Sequence, residues 1–222
     1  CGTTIAAAEK LNRNWIGTDI SHLAIRLIRD RLIKPIPDNA QKEFLKNIEI
    51  LGFPRDIAGA KQLARKTELL MQKSYKGGFD FQKWIVEFML GGIENPKRAA
   101  DGGWDGYLTF YKNNKEKGKV LIEVKSGHVN VKNIREFKDT INKTNADIGV
   151  FVCFKDEVTG PMEGAAKDAG KYPNYNIDKI QILTIEDIFD ERTIKLPGGV
   201  TNTVFKAAVE DVRPVKENPR LL

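Results

Sequence analysis

Residues 148–154, Ile-Gly-Val-Phe-Val-Cys-Phe, form an apolar run with a single glycine inside it. The run is far too short to cross a membrane. It lacks the polar alternate positions of a half-exposed strand, so it suits a strand covered on both faces. Such a strand needs helices above and below it, and the flanking sequence supplies them. Phe81, Trp84, Ile85, Phe88 and Met89 share one helical side behind an Asp80 cap, and Gly91-Gly92 stops that helix. Val131, Ile134, Phe137 and Ile141 define a second helix, and residues 161–170 a third, rich in small side chains. Residues 105–111 and 119–125 read as strands joined by a polar turn around Asn113, Asn114 and Lys115. Residues 180–183 read as a strand and 185–189 as a last helical turn. The order helix, hairpin, helix, strand, helix, strand predicts an α/β domain with a mixed sheet. Hydrophobic residues make up 41% of the 222, enough for such a core.

This domain spans 77–197. Ahead of it, residues 1–33 read as helix, strand, helix. Thr3 and Thr4 cap a helix with Ile5, Ala8 and Leu11 inside, and Trp15-Ile16-Gly17 is a short strand ending at Asp19. Ser21 caps a helix with Leu23, Ile25, Leu27 and Ile28 inward and Arg26, Arg29 and Arg31 outward. Residues 34–76 hold the stiff Lys34-Pro35-Ile36-Pro37-Asp38 linker, a helix over 40–51 and another from Asp56 to Lys66. Residues 198–222 read as an extended tail. The chain opens at Cys1 without a methionine and is expected to be part of a longer polypeptide. Cys1 and Cys153 are the only cysteines, which excludes a disulfide scaffold and a four-cysteine zinc site. With no secretory pattern and no apolar span, a cytoplasmic protein without membrane attachment is expected. The net charge of +6 and pI near 9.2 suit a nucleic-acid partner.

The strand Val120-Leu121-Ile122-Glu123-Val124-Lys125 carries the chemistry. Its period of two puts Glu123 and Lys125 on one face. If the hairpin turn centres between Asn114 and Lys115, Asp105 lies opposite Val124, diagonal to both. A slip of one residue brings it opposite Lys125 or Glu123. Two carboxylates and an ammonium at one sheet end suit phosphodiester hydrolysis: hard oxygen ligands for Mg²⁺ or Mn²⁺, and a cation to orient water or hold phosphate charge. Taken alone, Glu-x-Lys also describes a solvated edge with a weak ion pair.

Gly103-Trp104-Asp105-Gly106 followed by Glu123-Val124-Lys125, with the helix before, the helix after and the next apolar strand, resembles the PD-(D/E)xK nuclease superfamily. Within it the chain is similar to the Mrr-like restriction endonucleases over residues 79–196. The resemblance implies a restriction-endonuclease-like mixed sheet flanked by helices, with Asp105 and Glu123 as ligands of Mg²⁺ (or Mn²⁺) and Lys125 as the catalytic lysine. It adds Glu87, on the first helix, as a further metal-site acid. Many Mrr-like members have Gln where this chain has Glu123. Double-stranded DNA is the implied substrate, with Lys132, Arg135 and Lys138 on the following helix as phosphate contacts and His128 near the scissile phosphate. One site per chain and two strands to cut favour a homodimer.

Gly2-Thr3-Thr4, a helix, and then Trp15-Ile16-Gly17-Thr18-Asp19-Ile20-Ser21 resemble a second family, the DNA amino-methyltransferases. That resemblance implies Gly2 in the turn that cradles S-adenosylmethionine and Asp19 on the ribose hydroxyls. The first half of the glycine motif and the catalytic Asp/Asn-Pro-Pro-Tyr/Phe motif do not occur in the chain. S-adenosylmethionine is therefore expected only in a complete methyltransferase. Together the resemblances predict a prokaryotic restriction-modification fusion whose C-terminal part cleaves DNA. The rival is a non-cleaving DNA-binding module serving the methyltransferase.

Overall fold

The computed structural model describes residues 2–72, 80–96, 103–112, 116–198 and 209–212. The predicted boundary at residue 77, the hairpin turn at 113–115 and most of the tail lie outside them.

Four helices come first: α1 (Thr3–Lys10), α2 (His22–Ile33), α3 (Asp38–Lys46) and α4 (Ile57–Gln72). They precede α5 (Asp80–Lys83), which continues as a π-helical segment, Trp84–Met89. Strands β1 (Ile93–Glu94), β2 (Gly106–Tyr111) and β3 (Lys117–Val124) then lead to α6 (Val131–Lys143) and β4 (Ile148–Cys153). A 3-10 turn (Lys155–Glu157), α7 (Gly160–Lys167), β5 (Ile180–Thr184), α8 (Ile185–Phe189), β6 (Ile194–Pro197) and β7 (Val209–Val212) complete the described chain.

The sheet order is β1-β2-β3-β4-β5. The first three strands are antiparallel and β3, β4 and β5 are parallel, so the sheet is mixed as expected. Every residue of β4 is buried. Val120, Ile122 and Val124 of β3 and Val150 and Val152 of β4 face one apolar cluster, built with Ala60 and Ala64 of α4, Phe81, the π segment and Ile185 of α8. Leu121, Phe151 and Cys153 face the other, built with Ile134, Phe137 and Ile141 of α6 and Met162 and Ala166 of α7. Gly149 lets α6 approach closely, since a Cβ there would run into Ile141 and Phe137. Asn130 starts α6 with a reciprocal capping box to Asn133, and the Ser21 oxygen accepts from Ala24 N–H at the start of α2.

Several local readings give way to tertiary contacts. The first domain helix becomes π-helical after Lys83. The wider turn buries the successive residues Trp84, Ile85 and Val86 together with Phe88, which a narrow helical stripe would not. Helix α4 runs to Gln72, beyond Lys66, and α3 starts at Asp38 and stops at Lys46. Gly2, not Thr3 or Thr4, caps α1, without a side-chain hydrogen bond. No strand forms at Trp15-Ile16-Gly17. Residues 13–19 have no neighbouring strand to exchange backbone hydrogen bonds with, and the Trp15 indole donates instead to Glu9 Oε2 at 2.7 Å. The tail contributes a strand: β7 pairs parallel with β6.

Arg26, expected on the outside of α2, is 1% exposed. Its guanidinium donates to the carbonyl of Phe88, at 2.6 Å, and to that of Met89. These are carbonyls at the end of the π segment, where helical partners run out. Asp30 lies 3.5 Å from Arg26 Nε and accepts from Arg29 Nε at 2.9 Å. Burial pushes the Asp30 carboxyl up against the pull of both arginines. Phe53 stacks on Phe88 with ring centroids 4.3 Å apart, so the loop between α3 and α4 packs on the π segment. Replacing Arg26 with Ala takes the donor from two carbonyls and leaves the buried Asp30 with Arg29 alone. The variant should lose about 3–5 kcal/mol of unfolding free energy in urea titrations.

Candidate active site

The hairpin register decides the site. Gly106 pairs with Ile122 and Tyr111 with Lys117. This is one residue away from a turn centred between Asn114 and Lys115. Asp105 lies one position beyond the paired residues, and its carboxylate reaches β3 at the Val124 N–H, between Glu123 and Lys125, close enough for the three charges to act on one another. Asp105 is fixed from both sides. Its N–H donates to Ile122 O at 2.8 Å, its carbonyl accepts from Asn95 N–H at 2.8 Å, and its Oδ2 accepts from Val124 N–H at 2.7 Å. Asn95 also donates its side-chain amide to Trp104 O. On β3, Glu123 Oε1 lies 2.7 Å from Lys125 Nζ. The Lys125 backbone N–H donates to Val152 O, so the lysine sits where β3 leaves its pairing with β4. Asp105, Glu123 and Lys125 thus meet at the C-terminal end of a central strand, on the side covered by α6.

Glu123 is 5% exposed. Burial raises its carboxyl to about 7, although Lys125 pulls the other way, and the charges of Asp105 and Glu136 add to the rise. Burial likewise raises Asp105 to about 6, against the Val124 N–H and Lys125, with Glu94 adding to the rise. For Lys125, burial favours the neutral amine, but the Glu123 charge and hydrogen bond and the Asp105 charge outweigh it and raise its pKa. The site therefore carries more negative charge than one ammonium offsets. Glu94 adds its field at Asp105, and Glu136 at Glu123 and Lys125. Neither stood out in the sequence, because each reaches the site through folding and not through spacing.

Glu87 stands in the π segment, between Val86 and Phe88 of the cluster on the other face of β3. Lys132 is exposed and pairs with Glu136 at 3.6 Å, and Arg135 is exposed. Lys138 donates to Asp168 O at the end of α7. His128 is exposed and lies 2.8 Å from Glu157. Two hairpin lysines are engaged locally: Lys112 pairs with Asp147 at 2.7 Å, and Lys119 lies over the Trp104 ring at 5.0 Å. Gly2 (φ 73°) abuts Ile28, and Asp19 accepts from Ser21 N–H in an exposed turn, not from the end of a strand. Asp19 also borders a cavity of about 880 Å³ that includes Trp15, Ile28 and Phe53 in its wall.

The donor set fits a hard divalent cation. Two carboxylates with raised pKa values, Glu123 buried and Asp105 partly so, share the one ammonium of Lys125, and Mg²⁺ is commonly held by one or two carboxylates with water completing its shell. Among the described residues no group of three or more metal-ligating side chains is preassembled.

The raised carboxyls set a pH dependence of stability. Asp105 rises from an ordinary 3.8 and Glu123 from 4.5. In the interval above those values the folded protein keeps protons that the unfolded chain releases. Their stabilising contribution is therefore complete below about 4 and is lost as pH rises through about 6 for Asp105 and about 7 for Glu123. Urea unfolding of an Asp105→Asn/Glu123→Gln variant should show a flatter stability curve from pH 4.5 to 7 than the parent chain.

Residues 80–188, just under half of the chain, match the family model NA-iREase1, described as NACHT-associated inactive Restriction Endonuclease 1. No curated protein and no solved structure gives a significant match. Among the described residues no helix is long and apolar enough to cross a membrane. The five-stranded mixed sheet, the helices on its two faces and the family match together make this a restriction endonuclease-like α/β fold.

Proposed function

We propose that the chain hydrolyses phosphodiester bonds in double-stranded DNA with Mg²⁺ or Mn²⁺, using Asp105, Glu123 and Lys125. One observation carries this reading: the Asp105 carboxylate accepts the Val124 N–H, between Glu123 and Lys125, and Glu123 holds Lys125 at 2.7 Å where β3 ends. Asp105 and Glu123 would hold the cation. When bound, the ion neutralises phosphate charge and lowers the pKa of a water. The Val124 N–H orients the Asp105 carboxylate, leaving Oδ1 for other partners. Glu123 restrains the Lys125 side chain, which is 37% exposed and can donate its remaining ammonium hydrogens to the attacking water or to a non-bridging phosphate oxygen. Lys132 and Arg135, exposed on α6, suit phosphate contacts along a duplex, and two copies of the chain would serve its two strands.

The name of the matched family, with its word inactive, favours a second reading, a domain that binds DNA without cutting it. The residues argue for the first. In this chain the two carboxylates and the lysine are all present and meet. The link to S-adenosylmethionine and a methyltransferase partner draws on the sequence of residues 2–21 alone. It forms no part of the activity proposed for this chain.

Plasmid DNA should be cut in Mg²⁺ or Mn²⁺ and left intact in EDTA. Lys125→Ala and Asp105→Ala should each cut slower by about 100-fold or more while melting as folded proteins. Equal cutting by parent and variants defeats the assignment, and salt-sensitive binding without cutting in any metal selects the binding domain. In titrations of DNA affinity against salt, Lys132→Ala/Arg135→Ala should reduce the slope of log K on log salt by about 2.

A further inference from the structure

After Lys125 the chain leaves the sheet and turns through Ser126, Gly127 and His128 before α6 begins behind its Asn130 cap. Two carboxylates hold this turn. From the 3-10 turn, Glu157 accepts from Val129 N–H at 3.2 Å and lies 2.8 Å from His128 Nδ1. From α4, Glu68 accepts the Ser126 hydroxyl at 3.2 Å. Glu68 also lies against the backbone of Gly127, where a Cβ would fall far inside van der Waals contact with Glu68 Oε1. Helix α4 is a firm base for this reach. Ala60 and Ala64 are buried in the core, and the fully buried Thr67 accepts the Phe81 N–H at the start of α5. Helix α4 lies outside residues 80–188, so the contact comes from a part of the chain that the family match does not cover.

The backbone of Lys125 is pinned by Val152, but the course of the chain beyond it is set by what grips the turn. We propose that Glu68 is a positioning residue. By holding Ser126 over Gly127, it fixes the turn and thereby the direction of the Lys125 side chain against Glu123. The inference rests on the hydrolytic reading above.

Three variants separate grip from bulk. Glu68→Ala removes the acceptor. Gly127→Ala displaces it, because the new methyl group takes the place of a carboxylate at the end of a flexible side chain. Glu68→Gln keeps an acceptor oxygen at the same reach. Each is compared with the parent chain by hydrogen exchange of the 126–129 amides and by cleavage kinetics on DNA. Glu68→Ala and Gly127→Ala should exchange faster and lose about 10- to 100-fold in kcat, with KM for DNA unchanged. Glu68→Gln should stay close to the parent. The Glu68→Ala/Gly127→Ala double variant should be no worse than either single, because both remove one contact. Unchanged exchange, loosened exchange with unchanged kcat, additive losses, or a Gln variant as poor as Ala each overturn the proposal. If the parent chain fails to cut DNA in every metal tried, the hydrolytic reading fails by itself. Exchange then decides the grip: faster in the Ala variants and not in Gln upholds it, and equal protection in all four proteins overturns it.

Discussion

The burial of β4 on both faces constrains everything around it. Each fully buried aliphatic or aromatic side chain contributes roughly 1.5–3 kcal/mol, so β4 has no solvent-facing side that could tolerate loss of a covering layer. Parallel neighbours on both edges, β3 and β5, follow from the helical crossovers that supply those layers. Beside such a strand, β3 is buried too. Its ionisable residues are confined to its ends: Lys117 and Lys119 where it begins, Glu123 and then Lys125 where it leaves the sheet. The position of the charged trio is thus a consequence of apolar packing.

That placement changes what the charges are worth. On a solvated edge, a Glu-x-Lys pair contributes a fraction of a kcal/mol and titrates normally. Here Glu123 sits on an apolar layer with the Asp105 charge near it, and burial raises both carboxyls, Asp105 to about 6 and Glu123 to about 7. Buried ion pairs seldom add net stability, because desolvation offsets their attraction. The arrangement is better understood as a cost in folding that leaves unbalanced negative charge at a strand end. A divalent cation and a phosphodiester together would balance it.

The N-terminal helices are tied to this frame by a polar contact in an apolar setting. Arg26 satisfies carbonyls at the end of the π segment, and Phe53 stacks on Phe88 beside it. Helix α4 then carries Thr67 to the start of α5 and Glu68 to the turn after Lys125. Segments outside the family match therefore brace the two ends of the π-containing helix and the exit of β3.

Much of this was legible in the sequence. Unbroken apolarity at 148–154, helical spacing at Ile134, Phe137 and Ile141, and period two at Glu123 and Lys125 are local patterns, and the backbone obeys them. The Ser21 cap is local in the same sense. How Asp105 reaches β3 was not legible, because a shift of one residue in a hairpin moves a side chain across the sheet while leaving the pattern of each strand intact. Nor was the burial of Arg26, whose partners are carbonyls more than sixty residues away, or the missing strand at Trp15-Ile16-Gly17, which had the residues for a strand but no edge to join. The sequence by itself determined the main helices and strands between residues 105 and 189, the two-sided sheet and the candidate acids and base, since these follow from side-chain chemistry and period. Tertiary structure alone decided the register that assembles the trio, the fields of Glu94 and Glu136, and the reach of Glu68, since each is a distance between segments that no local pattern encodes.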